Sequence, residues 1–403
     1  MLSTLIYRSR ASHLQNLDAM SGLLELARQR NTAMHVTGIL LFDGVHFVQL
    51  LEGPDAAVDA LFESIGRDSR HGNVVRLMRD HAAARRFEGD SMALIDLREL
   101  DPGQVSSRLL AQMKTKGPLS GSDDRVINIL TWYALARGTR HVVDGEDASN
   151  WRFVRGGPPA DQAASGVQGQ RYQFALQPIV KPMHREVSSF EFLIRGPHGG
   201  PPEELFSSIA PGELHRIDLE SKALAFRLAG RLPLKDTKIA VNLLPRSLMA
   251  EPQAVEFLAD QIAAAGLSSQ QVIVEVTEQE AVSSPSTFSG VIERLRRAGI
   301  GVAIDDFGAG FAGLSLLAEF QPDKLKIDRK LIQDIHLDGP RQAIVVAIVE
   351  ACAAMGITPV AEGVERVEEW CWLQAAGIQR FQGYLFAKPA LNTMPEISWP
   401  ERV

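Results

Sequence analysis

Cysteine is nearly absent, two residues in 403, and Cys352 and Cys371 fall in expected helices without metal spacing. A disulfide framework and a zinc module are therefore excluded as organising principles. No apolar stretch reaches the roughly 18 to 20 residues of a membrane span, so no membrane helix is expected. The opening MLSTLIYRSR places a short apolar run before its arginines, the reverse of a secretory leader, and a cytoplasmic protein is expected. A basic excess is missing too. Lys and Arg total 42 against 49 Asp and Glu, a net charge of -7, which excludes a protein that holds nucleic-acid polymers by phosphate neutralisation. There is no repeat array, heptad pattern, low-complexity tail or Gly-rich dinucleotide fingerprint.

What remains is ordinary globular composition, 45% apolar and 23% charged, in a chain long enough for two domains. Residues 1–97 alternate strand and helix signals in the order βαββαββ, with the Asp43-Gly44 pair between two apolar runs marking a hairpin. That order predicts a ferredoxin-like α+β domain with helices on one face. Residues 98–145 read as connecting helices. A linker is expected over 146–170, where Gly156–Gln170 is rich in Gly, Pro, Ala and Ser. From 171 to 403 strands and helices alternate, the pattern of a (β/α)8 TIM-like barrel, with an open doubly wound sheet as the alternative.

Seven apolar runs in this second half carry a polar group at or near the end: Glu191, Asn242, Glu275, Asp305 with Asp306, Lys326, Glu362 and Gln382. Any one of them alone reads better as a helix cap or an ion pair. Together they require strand ends that converge, because unpaired buried charge is expensive. Hard oxygen donors without a His or Cys cluster suit two divalent cations, Mg²⁺ or Mn²⁺. A shared carboxylate bridging two such ions is the arrangement that activates water for in-line phosphoryl displacement, so phosphodiester hydrolysis is the leading chemistry. Alternation sends Asp305 and Asp306 to opposite faces, and both serve one site only if the strand ends there and Gly308 and Gly310 let the chain turn.

The blocks EFLIRG, VNLLP, EVTE, DDFGAG, DKLKID, AEGVE and QGYLFAKP resemble the EAL family of cyclic di-GMP phosphodiesterases over roughly 170 to 395. The resemblance implies that Glu191, Asn242, Glu275 and Asp305 bind one metal, and that Asp305, Asp306 and Glu362 bind or order the second. Lys326 and Glu362 would handle the nucleophilic water, Arg195 and Gln382 would contact substrate, and Glu278 would anchor the loop after Asp306. It implies cleavage of cyclic di-GMP to linear 5′-pGpG, in a homodimer paired through this domain. Phe192 stands where the signature usually has alanine, and faces outward on the alternation set by Glu191. A binding effector that does not hydrolyse the dinucleotide is the alternative, although no ligand position is missing.

In the first half, LIYRSRAS, RNTAMHVTGILLFDGVHFVQLLEG and RRFEGDSMALID resemble the BLUF family of blue-light sensors that use flavin, FAD or FMN. By that resemblance the ring lies between the two helices, with Asn31 on its polar edge, Gln49 between it and Tyr7, and Ser9 and Met92 as further partners. Arg85 or Arg86 would lie near the flavin phosphate. Asp90 replaces a tryptophan common in the family, so output is expected through Met92 and the helices at 103 to 138. These would bias the loop DFGAGFAGL. Taken without the resemblance, Tyr7, Asn31 and Gln49 read as satisfied structural hydrogen bonders, and a flavin redox enzyme is the alternative class.

Overall fold

The structure, a computed structural model, describes residues 2–12, 17–81, 84–98, 100–113, 124–136, 142–156, 172–207, 209–251, 253–279, 285–310 and 314–403. Most of the expected linker and residues 311–313 of the expected coupling loop lie outside these. Two compact units emerge: Met1–Gly145 with Asp334–Ile344, and Glu146–Gln333 with Val345–Val403.

The first unit runs β1 (Leu2–Ala11), α1 (Leu17–Ala33), β2 (Thr37–Phe42), β3 (His46–Pro54), α2 (Asp55–Gly66), β4 (His71–His81) and β5 (Ala93–Asp96). The sheet order is β4-β1-β3-β2-β5, antiparallel except where β5 lies parallel to β2. Asp43 turns the β2–β3 hairpin by accepting bonds from the Val45 and His46 amides, while Gly44 takes φ +100°. Alternation along β1 then divides the core: Leu5 and Tyr7 pack with Leu24, Val58 and Leu61 of α1 and α2, and Ile6 packs on the other face.

That second face is covered by α3 (Val105–Gln112) and α4 (Arg125–Leu135), whose Val105, Leu109, Val126 and Leu130 are buried against Ile39, Leu50 and Val75. The helices α3 and α4, within the stretch 98–145 expected to connect, therefore complete the core of the sensor unit. A sheet apolar on both faces needs two layers of cover, and α1 with α2 supply only one. Asp334–Ile344 also packs in this unit, with Asp338 bridged to Arg76 of β4.

In the second unit, β6 (Trp151–Arg155) pairs antiparallel with the C-terminal strand β16 (Ser398–Arg402), so the expected linker over 146–170 gives up its first part to a strand. Trp151 and Phe153 stack edge-on against Trp370, which fixes this ribbon. The barrel strands are β7 (Gln173–Lys181), β8 (Glu186–Arg195), β9 (Lys238–Asn242), β10 (Val272–Thr277), β11 (Gly301–Phe307), β12 (Lys324–Ile327), β13 (Thr358–Ala361) and β14 (Arg380–Phe381). They follow one another around a closed sheet sealed by β14 on β7, with the short β15 (Ala390–Leu391) beside β7.

Strands β8 to β14 are parallel, but β7 is antiparallel to both its neighbours. The expected eightfold βα repeat is thus broken at its first unit. The connection from Lys181 to Glu186 is a hairpin turn with Arg185 at φ 49°, too short for the crossover that a parallel pair requires. Of the intervening helices, α5 (Pro202–Ser207) and α6 (Leu214–Arg231) follow β8. The helix α6 buries Ile217, Leu219, Ala223, Phe226 and Ala229. Phe192 is buried beside Phe174, outside the barrel lumen, so its bulk is taken up by packing.

Candidate functional site

The barrel register brings the strand-end polar groups together. Glu191 lies beside Gln177 and Ala240, Asn242 beside Glu275, and Glu275 beside Ala303, two residues before Asp305. Lys326 stands at the centre, only 1% exposed, with Nζ 3.2 Å from Glu191, 2.9 Å from Glu275, 3.1 Å from Asp305 and 2.7 Å from Glu362. Asn242 Nδ2 donates to Glu191 Oε1 at 2.7 Å, and Gln382 Nε2 donates to Glu191 Oε2 at 2.7 Å. Ligand atoms of Glu191, Glu275 and Asp305 lie within 4.8 Å of one another, and so do those of Asp305, Asp306 and Glu362. Asp305 belongs to both triads.

Asp306 joins its neighbour by a route the sequence reading missed. The strand does not end before it. Asp306 itself adopts φ 54°, left-handed and strained for a residue other than glycine, where the β11–β12 register slips between Ile304 and Phe307. Gly308 follows at φ +96°, and Glu278 Oε2 accepts the Gly308 and Gly310 amides at 2.9 and 3.2 Å. Backbone strain of this kind persists only where the surroundings over-determine it, and two hydrogen bonds to one buried carboxylate do so here.

Electrostatics decide what the cluster can hold. Five carboxylates, Glu191, Glu275, Asp305, Asp306 and Glu362, gather round the Lys326 ammonium, so full ionisation leaves a negative excess that divalent cations would balance. Without them Glu275, Asp306 and Glu362 resist ionising. Burial, then the charges of Glu191 and Asp305, push Glu275 up to about 8 against the pull of Lys326, and burial with Asp305 raises Asp306 to about 6. Glu362 is also raised well above the usual carboxylate range by burial and Asp305, whereas Lys326 is held charged because its four acids outweigh the cost of burial. Glu191 is lowered: burial opposes its charge, but Lys326, Gln382 and Asn242 prevail. Glu275 Oε1 is buried with no partner, an acceptor oriented for a cation. The donor set fits a pair of hard divalent ions.

Arg195 ends β8 half-buried and donates to the Ile194 carbonyl. Gln382, expected at the substrate, is 4% exposed and bonded to Glu191 and to Gln177 at 3.1 Å, so its contacts orient a carboxylate. Two groups escaped sequence reasoning. Gln177 sits on the one antiparallel strand, where no strand-end rule applies. Asp218 and Lys222 form a buried pair at 2.6 Å on α6, and Asp218 also accepts the Leu244 amide and Ser247 Oγ, holding the turn that follows Asn242. Their i, i+4 spacing inside an apolar helix face was the available signal.

The first unit carries a cavity of about 320 Å³ between α1 and α2, lined among others by Tyr7, Asn31, Gln49, Met92, Arg30 and Arg70. Tyr7 Oη donates to Gln49 Oε1, and Gln49 Nε2 donates to Met92 Sδ at 3.4 Å. Asn31 Nδ2 donates to the Ser91 carbonyl at 2.6 Å. Burial, with a smaller contribution from Asp68, pushes the Tyr7 phenol far up, so it stays protonated. Ser9 is buried and bonded to His71 Nδ1 at 2.8 Å, and it is His71 that lines the cavity. Arg85 and Arg86 do not line it: Arg85 donates to the Glu52 and His35 carbonyls, and Arg86 pairs with buried Glu52 and Asp124. The cations at the cavity are Arg30 and Arg70. A slot with apolar walls and a few convergent polar groups fits a flat heteroaromatic ring.

Both halves of the chain match known families. The model described as the EAL domain matches residues 160–389, and that described as sensors of blue-light using FAD matches residues 2–93. The blue light- and temperature-regulated antirepressor BluF of Escherichia coli is 42% identical, with both chains covered in full. The BlrP1 protein of Klebsiella pneumoniae, solved with manganese and cy-diGMP, is 46% identical at a TM-score of 0.91, again covering both chains completely. A further BlrP1 structure holds FMN and cyclic diGMP without metal ions, at a TM-score of 0.86 and 43% identity. The cyclic di-GMP phosphodiesterase RocR of Pseudomonas aeruginosa is 35% identical over 39% of this chain and 39% of its own length. With its matching model spanning more than half of the residues and a BLUF domain in front, this chain belongs to the EAL family.

Proposed function

We propose that this protein is a blue-light-regulated phosphodiesterase that hydrolyses cyclic di-GMP to linear 5′-pGpG, using flavin as chromophore and two divalent cations at the barrel mouth. The observation that carries the reading is the pair of carboxylate triads sharing Asp305, with an excess of negative charge. Glu191, Asn242, Glu275 and Asp305 would hold the first ion, and Asp305, Asp306 and Glu362 the second. Bound there, the ions would supply Lewis acidity to the phosphoryl oxygens and to the attacking water.

The chain's own residues supply positioning and proton handling. Asn242 and Gln382 clamp the two oxygens of Glu191, fixing its orientation. Lys326 stays charged within reach of four acids and places a cation beside the reacting phosphate. Glu362 Oε1, 2.7 Å from Lys326 Nζ, is the acceptor for the proton of the attacking water. Arg195 contacts the substrate at the end of β8. In the sensor cavity, flavin supplies blue-light absorption. Asn31, Gln49 and Tyr7 hold its polar edge, and rotating the Gln49 amide by half a turn would present NH₂ to Tyr7, reversing that hydrogen bond, and would turn the oxygen to Met92 Sδ, which has no hydrogen to give, so that bond is lost. The protein acts in the cytoplasm as a homodimer paired through the EAL domain.

The name of the E. coli relative favours a second reading, an antirepressor whose output is binding to another protein. The complete carboxylate set argues for turnover. Purified yellow protein, assayed in the dark and under blue light with Mn²⁺ or Mg²⁺, tests both. Divalent-ion-dependent appearance of pGpG at a light-dependent rate supports the proposal, and no pGpG under either condition overturns it in favour of the binding protein.

A further inference from the structure

The barrel lumen carries a second concentration of charge, at the opposite ends of its strands. The alternation that turns Glu191, Asn242, Lys326 and Gln382 inward also turns inward Ser189 of β8, Lys238 of β9, Lys324 of β12 and Arg380 of β14. The register agrees: Ser189 lies beside Lys238, Lys324 beside Ala303, and Arg380 beside Val360. Ala240, Ile273 and Ala303 form a small apolar layer of the same interior. Lys324 Nζ reaches across the barrel, four strands away, to Ser189 Oγ at 3.1 Å, and Arg380 Nε donates to Ser188 Oγ at 3.2 Å.

These cations lack an acid at ion-pair distance: Glu186 acts on Arg380, and Glu275 on Lys324, only from further away. Among the described residues neither Lys324 nor Arg380 forms an ion pair, and Lys324 is 7% exposed. The neighbouring acids are engaged elsewhere: Glu186 takes Lys181 at 2.9 Å, and Asp323 accepts the Val302 amide at 2.8 Å. Burial lowers the Lys324 amine to about 8, Glu275 opposes the shift, and Arg380, Lys238 and Lys326 add to it. A buried ammonium bonded to a single neutral hydroxyl is costly, and an anion is what relieves it.

We propose that this N-terminal mouth of the barrel is an anion site that takes a phosphate-class oxyanion between Lys324, Arg380 and Lys238, with the hydroxyls of Ser188 and Ser189 completing its shell. A tetrahedral oxyanion presents acceptors on every side, which suits donors arriving from four strands, whereas a planar carboxylate satisfies fewer of them. The site lies at the end of the barrel away from the carboxylate triads and works without metal.

The test uses the full-length protein, freed of metal with EDTA and kept at constant ionic strength in chloride. Inorganic phosphate and guanosine monophosphate are titrated separately by calorimetry and by thermal unfolding, which distinguishes free phosphate from the terminal phosphate of a nucleotide. Saturable binding of either is expected, weakened about tenfold by Lys324→Met or Arg380→Gln, each of which removes one charge-assisted contact. Exposed Lys238→Gln, which has little bearing on folding, should weaken it in the same direction, and Asp305→Asn at the other mouth should leave it intact. Binding that survives Lys324→Met combined with Arg380→Gln, or no binding beyond that of chloride, overturns the proposal.

Discussion

The sensor cavity and the barrel mouth both bury polar groups under apolar sheets, but by opposite means. In the cavity the key contacts are neutral: Tyr7 to Gln49, Gln49 to Met92, Asn31 to the Ser91 carbonyl. Each such bond contributes about 1 kcal/mol net, so exchanging one arrangement for another costs little. At the barrel mouth five acids crowd one lysine, and rearrangement would strand a buried charge. A switch suits the first environment and a preorganised reaction site suits the second. Tyr7 and Lys326 are both almost fully buried, yet one is kept neutral by burial and the other kept charged against it.

The largest effect that would break this contrast is at the shared carboxylate. Asp305→Ala removes a ligand from both triads, and turnover should fall by about 10³-fold or more while flavin absorbance is unchanged. Retention of even a tenth of the activity, measured as pGpG released with saturating Mn²⁺, would show that one ion suffices. Next comes Lys326→Met. In metal-free protein at pH 8 it should lose about 3–5 kcal/mol by denaturant unfolding, because the acids lose their only ammonium. Added Mn²⁺ should restore most of that loss. A variant as stable as the parent without metal would mean that the acids are not held ionised by Lys326. Smaller still is Gln49→Leu, which removes the amide but leaves the volume. The light-to-dark ratio of hydrolysis should fall to one, with a stability loss of about 1 kcal/mol, and a persisting spectral red shift on illumination would exclude Gln49 as the switch.

How much of this was legible in the sequence follows the same division. The order βαββαββ, the Asp43-Gly44 turn and the convergence of Glu191, Glu275 and Asp305 could be read because each rests on local chemistry: alternation, turn residues, and the improbability of repeated strand-end charge. Asp306 could be read as a participant but not how it participates, since nothing in DDFGAG says that the second aspartate, as well as Gly308, takes a positive φ. The role of α3 and α4 was hidden because amphipathic helices look alike whether they connect or cover, and only the two-sided burial of β1 and β3 distinguishes them. Arg85 and Arg86 were placed near the flavin phosphate by resemblance alone, and neither lines the cavity. A family likeness does not say which face of the sheet an arginine reaches, and buried Glu52 claims Arg86 on the far side.

The smallest effect sharpens the contrast from within the sensor unit, at an ionic cluster away from the cavity. His46 donates to Asp144, which also takes Arg8 at 2.8 Å, and His46 lies 3.4 Å from Asp43. Burial opposes the imidazolium, but the bonds and charges of Asp144 and Asp43 outweigh it and raise His46 to about 9. A raised folded pKa contributes stability that is complete below the unfolded value near 6.5 and disappears as pH rises through about 9. Screened by solvent at a half-buried site, the contribution should be about 1–2 kcal/mol. Denaturant unfolding between pH 6.5 and 9.5 should therefore show the parent losing that much relative to His46→Gln, whose curve lacks this component. Since the pair ties the start of β3 to the segment around Asp144 and touches none of the cavity residues, the flavin spectrum should not move across the same range. If the spectrum titrates with the stability, charge and switch are not separate in this unit, and the division between neutral sensor and ionic active site fails where it was expected to be cleanest.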